Sequence, residues 1–530
     1  MQLPDNRTLP HLLAAVAARH PERNCVTDGD RRMSYAEFLA ETRALARSFH
    51  ALGVRKGNRV AILMGNRPEW LAVQFAVTML GGVLVTLNTW WRQDELRNAL
   101  ALTDASVLVM TDRYLKSDYV EILAALGDLG TAVPTLKHIV CLGETAPAQA
   151  ILWADFRRLG DEVSAASVEA AMQSVGPGDD AMILFTSGST AKSKGVPLRH
   201  RGLVENMHAI GERMHVTEAD RLLLVVSLFW GFGQNAMLAF LSHGASIVLQ
   251  PHYDVAETLR LIEAERCTGL YATPNMVHAL YAHPDRHTRD LSTLRTGEAR
   301  SAVVHMLHEM GAREVSTMYG LTESYFNATV SDGRLPLDVR QRICGTALPN
   351  TEVEIVDPKT RAVLPPGEIG EVRLRGYVTE GYCKNPGATA EAIDGDGWLY
   401  TGDLGTLDAD GGLEIRGRLK EMIKTGGISV TPADVENLLL EVAGVEQAIV
   451  VGLPDPERDE IVAAMVVLAD GAATTIEDMV DHVRNTAAAY KVPRYIEVVQ
   501  SDDVPLTLTG KVHKPRIQEV LGARYDPAGR

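Results

Sequence analysis

Between residues 59 and 111 the chain alternates short unbroken apolar runs with longer stretches whose apolar positions recur at helical spacing. "RVAILMGN" (59–66) predicts a strand, "PEWLAVQFAVTML" a helix, "GGVLVTLN" a strand, residues 93–102 a helix and "SVLVMT" a strand. Strands apolar at successive positions are buried on both faces, as in a parallel sheet covered by helices. The same order returns from "RLLLVVS" (221–227), through a helix near 234–242, to "SIVLQ", a helix near 255–265 and "GLYATP". "MLGGVLVTLN" and "LSHGASIVLQ" both leave a helix through glycine into a strand, so the pattern predicts two related halves.

The periodicity then changes. Over residues 345–416, short alternating strands such as "TEVEIV" and "GEVRLRG" lie between Pro and Gly turns and predict a mainly antiparallel layer. Beyond "GRLKEMIKTGG" the sequence predicts a helix near 432–441, strands near 447–452 and 461–468, and a helix near 476–488. About a hundred residues suffice for an independent domain. The expected architecture is therefore α/β. A large N-terminal domain, 1–419, holds two related α/β sheet halves and the antiparallel layer, and a small α+β C-terminal domain, 420–530, follows. The tail "GARYDPAGR" reads as frayed.

Composition narrows the partners. The 530 residues are 46% hydrophobic and 23% charged, with a formal charge of −16, which argues against nucleic acid because phosphate backbones call for a basic field. Five widely spaced cysteines without CxxC spacing suggest neither disulfides nor a zinc knot and fit a reducing cytoplasm. The N-terminus lacks the basic start and apolar stretch of a secretory signal. The uncharged stretch 222–241, "LLLVVSLFWGFGQNAMLAFL", is long enough to span a bilayer, but Gly231, Gly233, Gln234 and Asn235 break it, so no membrane span is expected.

The chemistry begins at "LFTSGSTAKSKG" (184–195), where the apolar run "AMILF" opens into glycines, hydroxyls and lysines with no carboxylate. Such a loop offers backbone N–H groups, hydroxyl donors and positive charge to a phosphate. Read by composition alone it is equally a solvated Gly/Ser loop. The P-loop pattern GxxxxGK[ST] is absent. "GFGQNA" (231–236) approximates the dinucleotide fingerprint, but the next strand ends in Gln250 where an acid would hold the ribose.

"TSGSTAKSKG" (186–195), "YGLTE" (319–323), "YTGD" (400–403), "GRLKEMIKTGG" (417–427) and "PLTLTGK" (505–511) follow in one order over nearly the whole chain. This series resembles the adenylate-forming superfamily of acyl-CoA synthetases, adenylation domains and luciferases. The resemblance implies ATP, Mg²⁺ and coenzyme A as cofactors. It places Thr186, Ser187, Gly188, Ser189, Thr190 and Lys194 around the β- and γ-phosphates, though Ala191 and Ser193 stand where glycine and proline are commoner. It assigns Tyr319 to the adenine face, Gly320 to the cofactor-binding set, Thr322 to the α-phosphate and Glu323 to the metal, and sets Gly297, Glu298 and Ala299 beside adenine and acyl group. Asp403 resembles the ribose acceptor, with Arg418 nearby on the nucleotide. Lys511 resembles the catalytic lysine that bridges carboxylate and α-phosphate. Lys420 matches the hinge about which the small domain swings, bringing Lys424, Gly426 and Gly427 to the site for thioester formation.

The implied reaction joins a small-molecule carboxylic acid to AMP and then to a thiol. Coenzyme A is the expected thiol, since no carrier domain follows the small domain; an adenylating enzyme that loads a separate carrier protein, or a non-catalytic binder of the same fold, are the alternatives. Amino-acid-activating relatives carry an aspartate where this chain has Trp230, which argues against an α-amino acid. Trp230, Gly231, Phe232, Gly297, Gly320 and Leu321 form the expected acyl pocket, suited to an uncharged, hydrophobic acid. A homodimer is compatible with all of this.

Overall fold

The computed structural model describes residues 3–127, 129–186, 193–425, 428–455, 458–507 and 512–525. Two compact units divide the chain, one of Met1–Val353 with Leu374–Leu399 and the other of Glu354–Arg373 with Tyr400–Arg530.

The first unit is built on two seven-stranded sheets. In one, the strand Arg59–Leu63 is central, with Val83–Thr86 parallel on one side and Ala105–Thr111 parallel on the other. In the second, Arg221–Leu224 takes the central place between Ser246–Leu249 and Gly269–Tyr271, again parallel. Both halves thus lay their first strand in the middle, as a duplicated β-α-β-α-β unit with consistent crossovers would. The glycine junctions match as well: Gly81 (φ 68°) and Gly244 (φ 78°) each take the left-handed conformation that ends a helix cheaply only without a Cβ.

The halves are completed by exchange. The strand Asn24–Asp28, from the start of the chain, pairs parallel with Ser246–Leu249 in the second sheet. The hairpin of Asp180–Thr186 and Lys194–Arg199 joins the first sheet through Val83–Thr86. The corresponding helices Pro68–Met79 and Gly231–Leu241 meet through a buried bond from Gln74 Nε2 to Gln234 Oε1 at 2.9 Å. From Trp70 to Met79 every residue of the first of these helices is buried, which explains a sequence apolar almost all round. Asn66 adds a second latch: its amide donates to Val226 O at 3.0 Å and its Oδ1 accepts from Leu228 N at 3.0 Å. The stretch 222–241 is divided between strand and helix, and among the described residues no helix is long and apolar enough to cross a membrane. All five cysteines are free.

In the second unit the strands Leu399–Leu407 and Leu413–Arg418 pair antiparallel. Further along, a long hairpin of Val445–Asp455 and Asp459–Leu468 carries Tyr495–Val499 parallel on its edge. Alternate residues of this sheet feed two cores. Val450, Val462, Ala464 and Val466 face Val435, Leu439, Met479 and Val483, while Ile449, Val451, Ile461 and Met465 face Ile517 and Leu521. Burial on both faces is why "AIVVGL" and "IVAAMVVL" read as continuous apolar runs. Ile517 and Leu521 also anchor the helix Lys514–Arg524, so Gly522, Ala523 and Arg524 of the tail that reads as frayed are helical.

Candidate active site

Strand Asp180–Thr186 ends in register with Lys194, so Thr186 and Lys194 stand opposite each other at the mouth of their hairpin. Ser187, Gly188, Ser189 and Thr190 of the expected phosphate loop, with Ala191, lie outside the described residues. The Lys194 ammonium sits 4.6 Å from the centre of the Tyr382 ring, within cation–π range.

The Tyr382 hydroxyl in turn donates to Glu323 Oε1 at 2.8 Å. Burial, with the Glu323 charge adding to it, holds that hydroxyl well above the usual phenol range, so it stays a donor. Glu323 is buried in the turn Thr322–Ser324, fixed by Leu321 N donating to Ser324 Oγ at 2.9 Å and by Thr379 N donating to the Glu323 carbonyl at 2.7 Å. Tyr382 therefore touches both the phosphate-loop lysine and the expected metal ligand. Nothing in the sequence singled it out, because a lone aromatic in the turn-rich "EGYCKNPG" belongs to no periodic pattern. The donor set suits magnesium: one buried carboxylate, with no group of three metal-ligating side chains among the described residues, leaves most ligand positions to phosphates and water.

Tyr319 pairs antiparallel with Thr329, and Gly320 follows where an added Cβ would lie 2.3 Å from Phe326 O. Tyr325 and Phe326 carry φ of 52° and 78°, the only adjacent non-glycine pair of positive φ among the described residues. Such conformations cost about 1 kcal/mol or more each. The surroundings hold them. Asn206 Nδ2 donates to Tyr325 O at 3.0 Å and to Asn327 O at 2.8 Å, Arg199 N donates to the Tyr325 hydroxyl at 3.0 Å, and Phe326 N donates to Leu321 O at 3.0 Å.

Thr296–Glu298 lies between two parallel strands, with Tyr271, Glu298 and Ser316 in register. Neighbours in register on parallel strands share a face. Gly297 has φ 148°, and a Cβ there would sit 1.9 Å from Leu270 O, so only glycine fits. Glu298 is buried, and its carboxyl is pushed up to about 8, mainly by desolvation, with Arg300 opposing. At neutral pH it is an acid that can donate. Ala299 is buried beside it.

Half-buried Trp230 precedes the helix Gly231–Leu241, its ring 5.4 Å from that of Phe229, while Phe232 lies 5.2 Å from Tyr271. Gly231 and Gly233 leave no room for side chains: a Cβ would meet the Phe326 ring at 2.5 Å and Ser227 O at 2.3 Å, respectively. The glycines of "GFGQNA" are thus accounted for by close packing.

In the second unit, Asp403 and Arg418 are in register on their antiparallel strands and form an ion pair at 3.0 Å, with the aspartate buried and the arginine exposed. Lys420 is exposed in the turn Leu419–Glu421, and Lys424 is exposed on the strand Ile423–Thr425, its backbone N donating to Glu460 at 2.7 Å. Gly426, Gly427 and Lys511 lie outside the described residues. Within the first unit, then, Lys194 and Glu323 converge through Tyr382, with Thr186 in register with Lys194, and Gly231 and Gly320 converge through Phe326. The second unit brings Asp403 and Arg418 together.

Comparison with known proteins places the chain in a family. Residues 13–383 match the AMP-binding enzyme family and residues 434–511 the AMP-binding enzyme C-terminal domain. The chain is 36% identical to the putative acyl-CoA synthetase YngI of Bacillus subtilis (strain 168), over 97% of this chain and 96% of that one. It is 33% identical to a 3-[(3aS,4S,7aS)-7a-methyl-1,5-dioxo-octahydro-1H-inden-4-yl]propanoyl:CoA ligase of Rhodococcus jostii (strain RHA1), over 97% and 98%. Among solved structures, ATP-bound MatB from Rhodopseudomonas palustris is similar with a TM-score of 0.85 at 26% identity, covering 98% of this chain and 100% of that one. Lys194 and Glu323, held to one tyrosine, fall inside the longer of the two matched segments, and the chain belongs to the AMP-binding enzyme family.

Proposed function

We propose that the protein joins a hydrophobic carboxylic acid to AMP at the expense of ATP and then transfers the acyl group to coenzyme A. The observation that carries this reading is the Lys194–Tyr382–Glu323 contact, which ties the expected phosphate-loop cation to a buried carboxylate. In the first step a carboxylate oxygen attacks the α-phosphorus and pyrophosphate leaves. In the second the thiol sulfur attacks the acyl carbon, AMP leaves and the thiol proton is released.

Magnesium, when bound, neutralises phosphate charge. Glu323 would hold it, with Tyr382 fixing one carboxylate oxygen by hydrogen bond. Thr186 and Lys194 would hold the outer phosphates, and Thr322 the α-phosphate. Tyr319 would pack on adenine, with Gly320 and the Gly297–Ala299 segment beside it. Asp403 would accept from the ribose. Lys511 would stabilise the negative charge that builds as carboxylate and phosphate meet. Residues 420–530 would act as a domain that swings at Lys420, carrying Lys511 in for the first step and Lys424, Gly426 and Gly427 in for the second. The aromatic surroundings of Trp230, Phe232 and Tyr271 support an apolar acyl group.

ATP–pyrophosphate exchange over a panel of carboxylic acids, followed by addition of coenzyme A, tests the reading. Acid-dependent exchange and accumulation of an acyl-CoA are expected. Absence of exchange with every acid would leave a non-catalytic binder, and exchange with transfer only to a carrier-protein thiol would replace coenzyme A as acceptor.

A further inference from the structure

We infer that Phe326 sets the size limit of the acid this protein accepts, closing the acyl pocket beside Gly231 so that compact acids are taken and long chains refused. The inference rests on the proposed acid-activating reading and goes beyond it to the class of acid.

Three observations carry it. First, the Phe326 ring lies directly over Gly231, where an added Cβ would come within 2.5 Å of it. Gly231 sits between Trp230 and Phe232 at the start of the helix assigned to the pocket, so the space a side chain at 231 would fill already holds an aromatic ring. Second, the backbone of Phe326 closes on Gly320, the glycine assigned to both nucleotide and acyl group, with the Phe326 carbonyl 2.3 Å from where a Cβ would stand. One residue thus borders the acyl side with its ring and the nucleotide side with its carbonyl. Third, the backbone that carries the ring is fixed, since Asn206 pins the carbonyls of Tyr325 and Asn327 on either side of it, and the ring itself is buried, with little open space to turn into. A rigid wall sorts guests by size, whereas a mobile one adapts.

The test compares wild type with Phe326→Gly, which removes the ring while suiting the positive φ, and with Phe326→Tyr, which keeps a ring. Straight-chain acids from acetate to palmitate, with benzoate and cinnamate, are assayed by pyrophosphate exchange alongside the KM for ATP. Phe326→Gly should raise kcat/KM for the longer acids relative to the shorter by about tenfold or more, with the KM for ATP little changed. Phe326→Tyr should keep the wild-type ranking. An unchanged ranking in Phe326→Gly overturns the inference, as does an equal loss for all acids together with a raised KM for ATP, which would mark a merely structural role. Should wild type support no exchange at all, the activity reading fails by itself. Acid-induced thermal stabilisation over the same panel then decides the size limit: a shift toward longer acids in Phe326→Gly sustains it, and identical profiles overturn it.

Discussion

Single residues in this protein carry readable electrostatic signatures. Glu298 ionises only near pH 8 in the folded chain, against its ordinary 4.5 once unfolded. The unfolded chain therefore loses this proton first as pH rises. The stability tied to Glu298 is intact below pH 4.5, declines by up to about 1.4 kcal/mol per unit as pH climbs toward 8, and levels off above. Glu298→Gln should flatten that slope, seen in urea denaturation at pH 5, 6.5 and 8 as a variant whose advantage over wild type grows with pH. Tyr382→Phe keeps a ring beneath Lys194 but removes the donor to Glu323. A hydrogen bond to a charged group carries enough free energy that exchange at low magnesium should drop by about tenfold, with partial recovery at high magnesium. At this scale the sequence spoke where residue types formed a motif, as at Glu323 and Lys194. It was silent on Tyr382 and Phe326, which gain meaning only from partners brought in by the fold.

Elements were legible to the extent that their own side chains determine them. The run Ala105–Thr111 and the helix Pro68–Met79 follow from apolar pattern alone, and both lie where the pattern puts them. The helix expected from residue 234 begins at Gly231 instead, because glycine is a poor helix signal yet is required there for packing on Phe326 and Ser227. Strand neighbours were not legible, since period and polarity mark a strand without saying which strand it meets; Asn24–Asp28, which no sequence pattern marked, pairs with Ser246–Leu249. The strand Thr296–Glu298 depends on a missing side chain. Gly297→Ala should destabilise by roughly 3 kcal/mol or prevent folding, since the new methyl would overlap the Leu270 carbonyl. Gly178→Ala, with open space around it and no positive φ, should change stability by less than about 0.5 kcal/mol, thermal denaturation of both variants against wild type being the check.

For the whole molecule, the proposed domain swing predicts separable half-reactions. Lys511→Ala should lower acid-dependent exchange by about a hundredfold or more, yet leave thioester formation from preformed acyl-AMP within about tenfold of wild type. Lys420→Pro, which fixes φ at the proposed hinge, should do the reverse, sparing exchange and slowing acyl-CoA release by about tenfold. The sequence foretold two related halves and a separate final domain, but it could not foretell that the halves trade strands. That trade has a consequence for how the protein is made. The ribosome delivers Asn24–Asp28 early, yet its sheet partner Ser246–Leu249 emerges only after the entire first half has been synthesised. The nascent chain must therefore carry an unpaired strand edge through much of its translation, and arrested fragments ending before residue 246 should bind holdase chaperones where fragments reaching past the Gly269–Tyr271 strand do not.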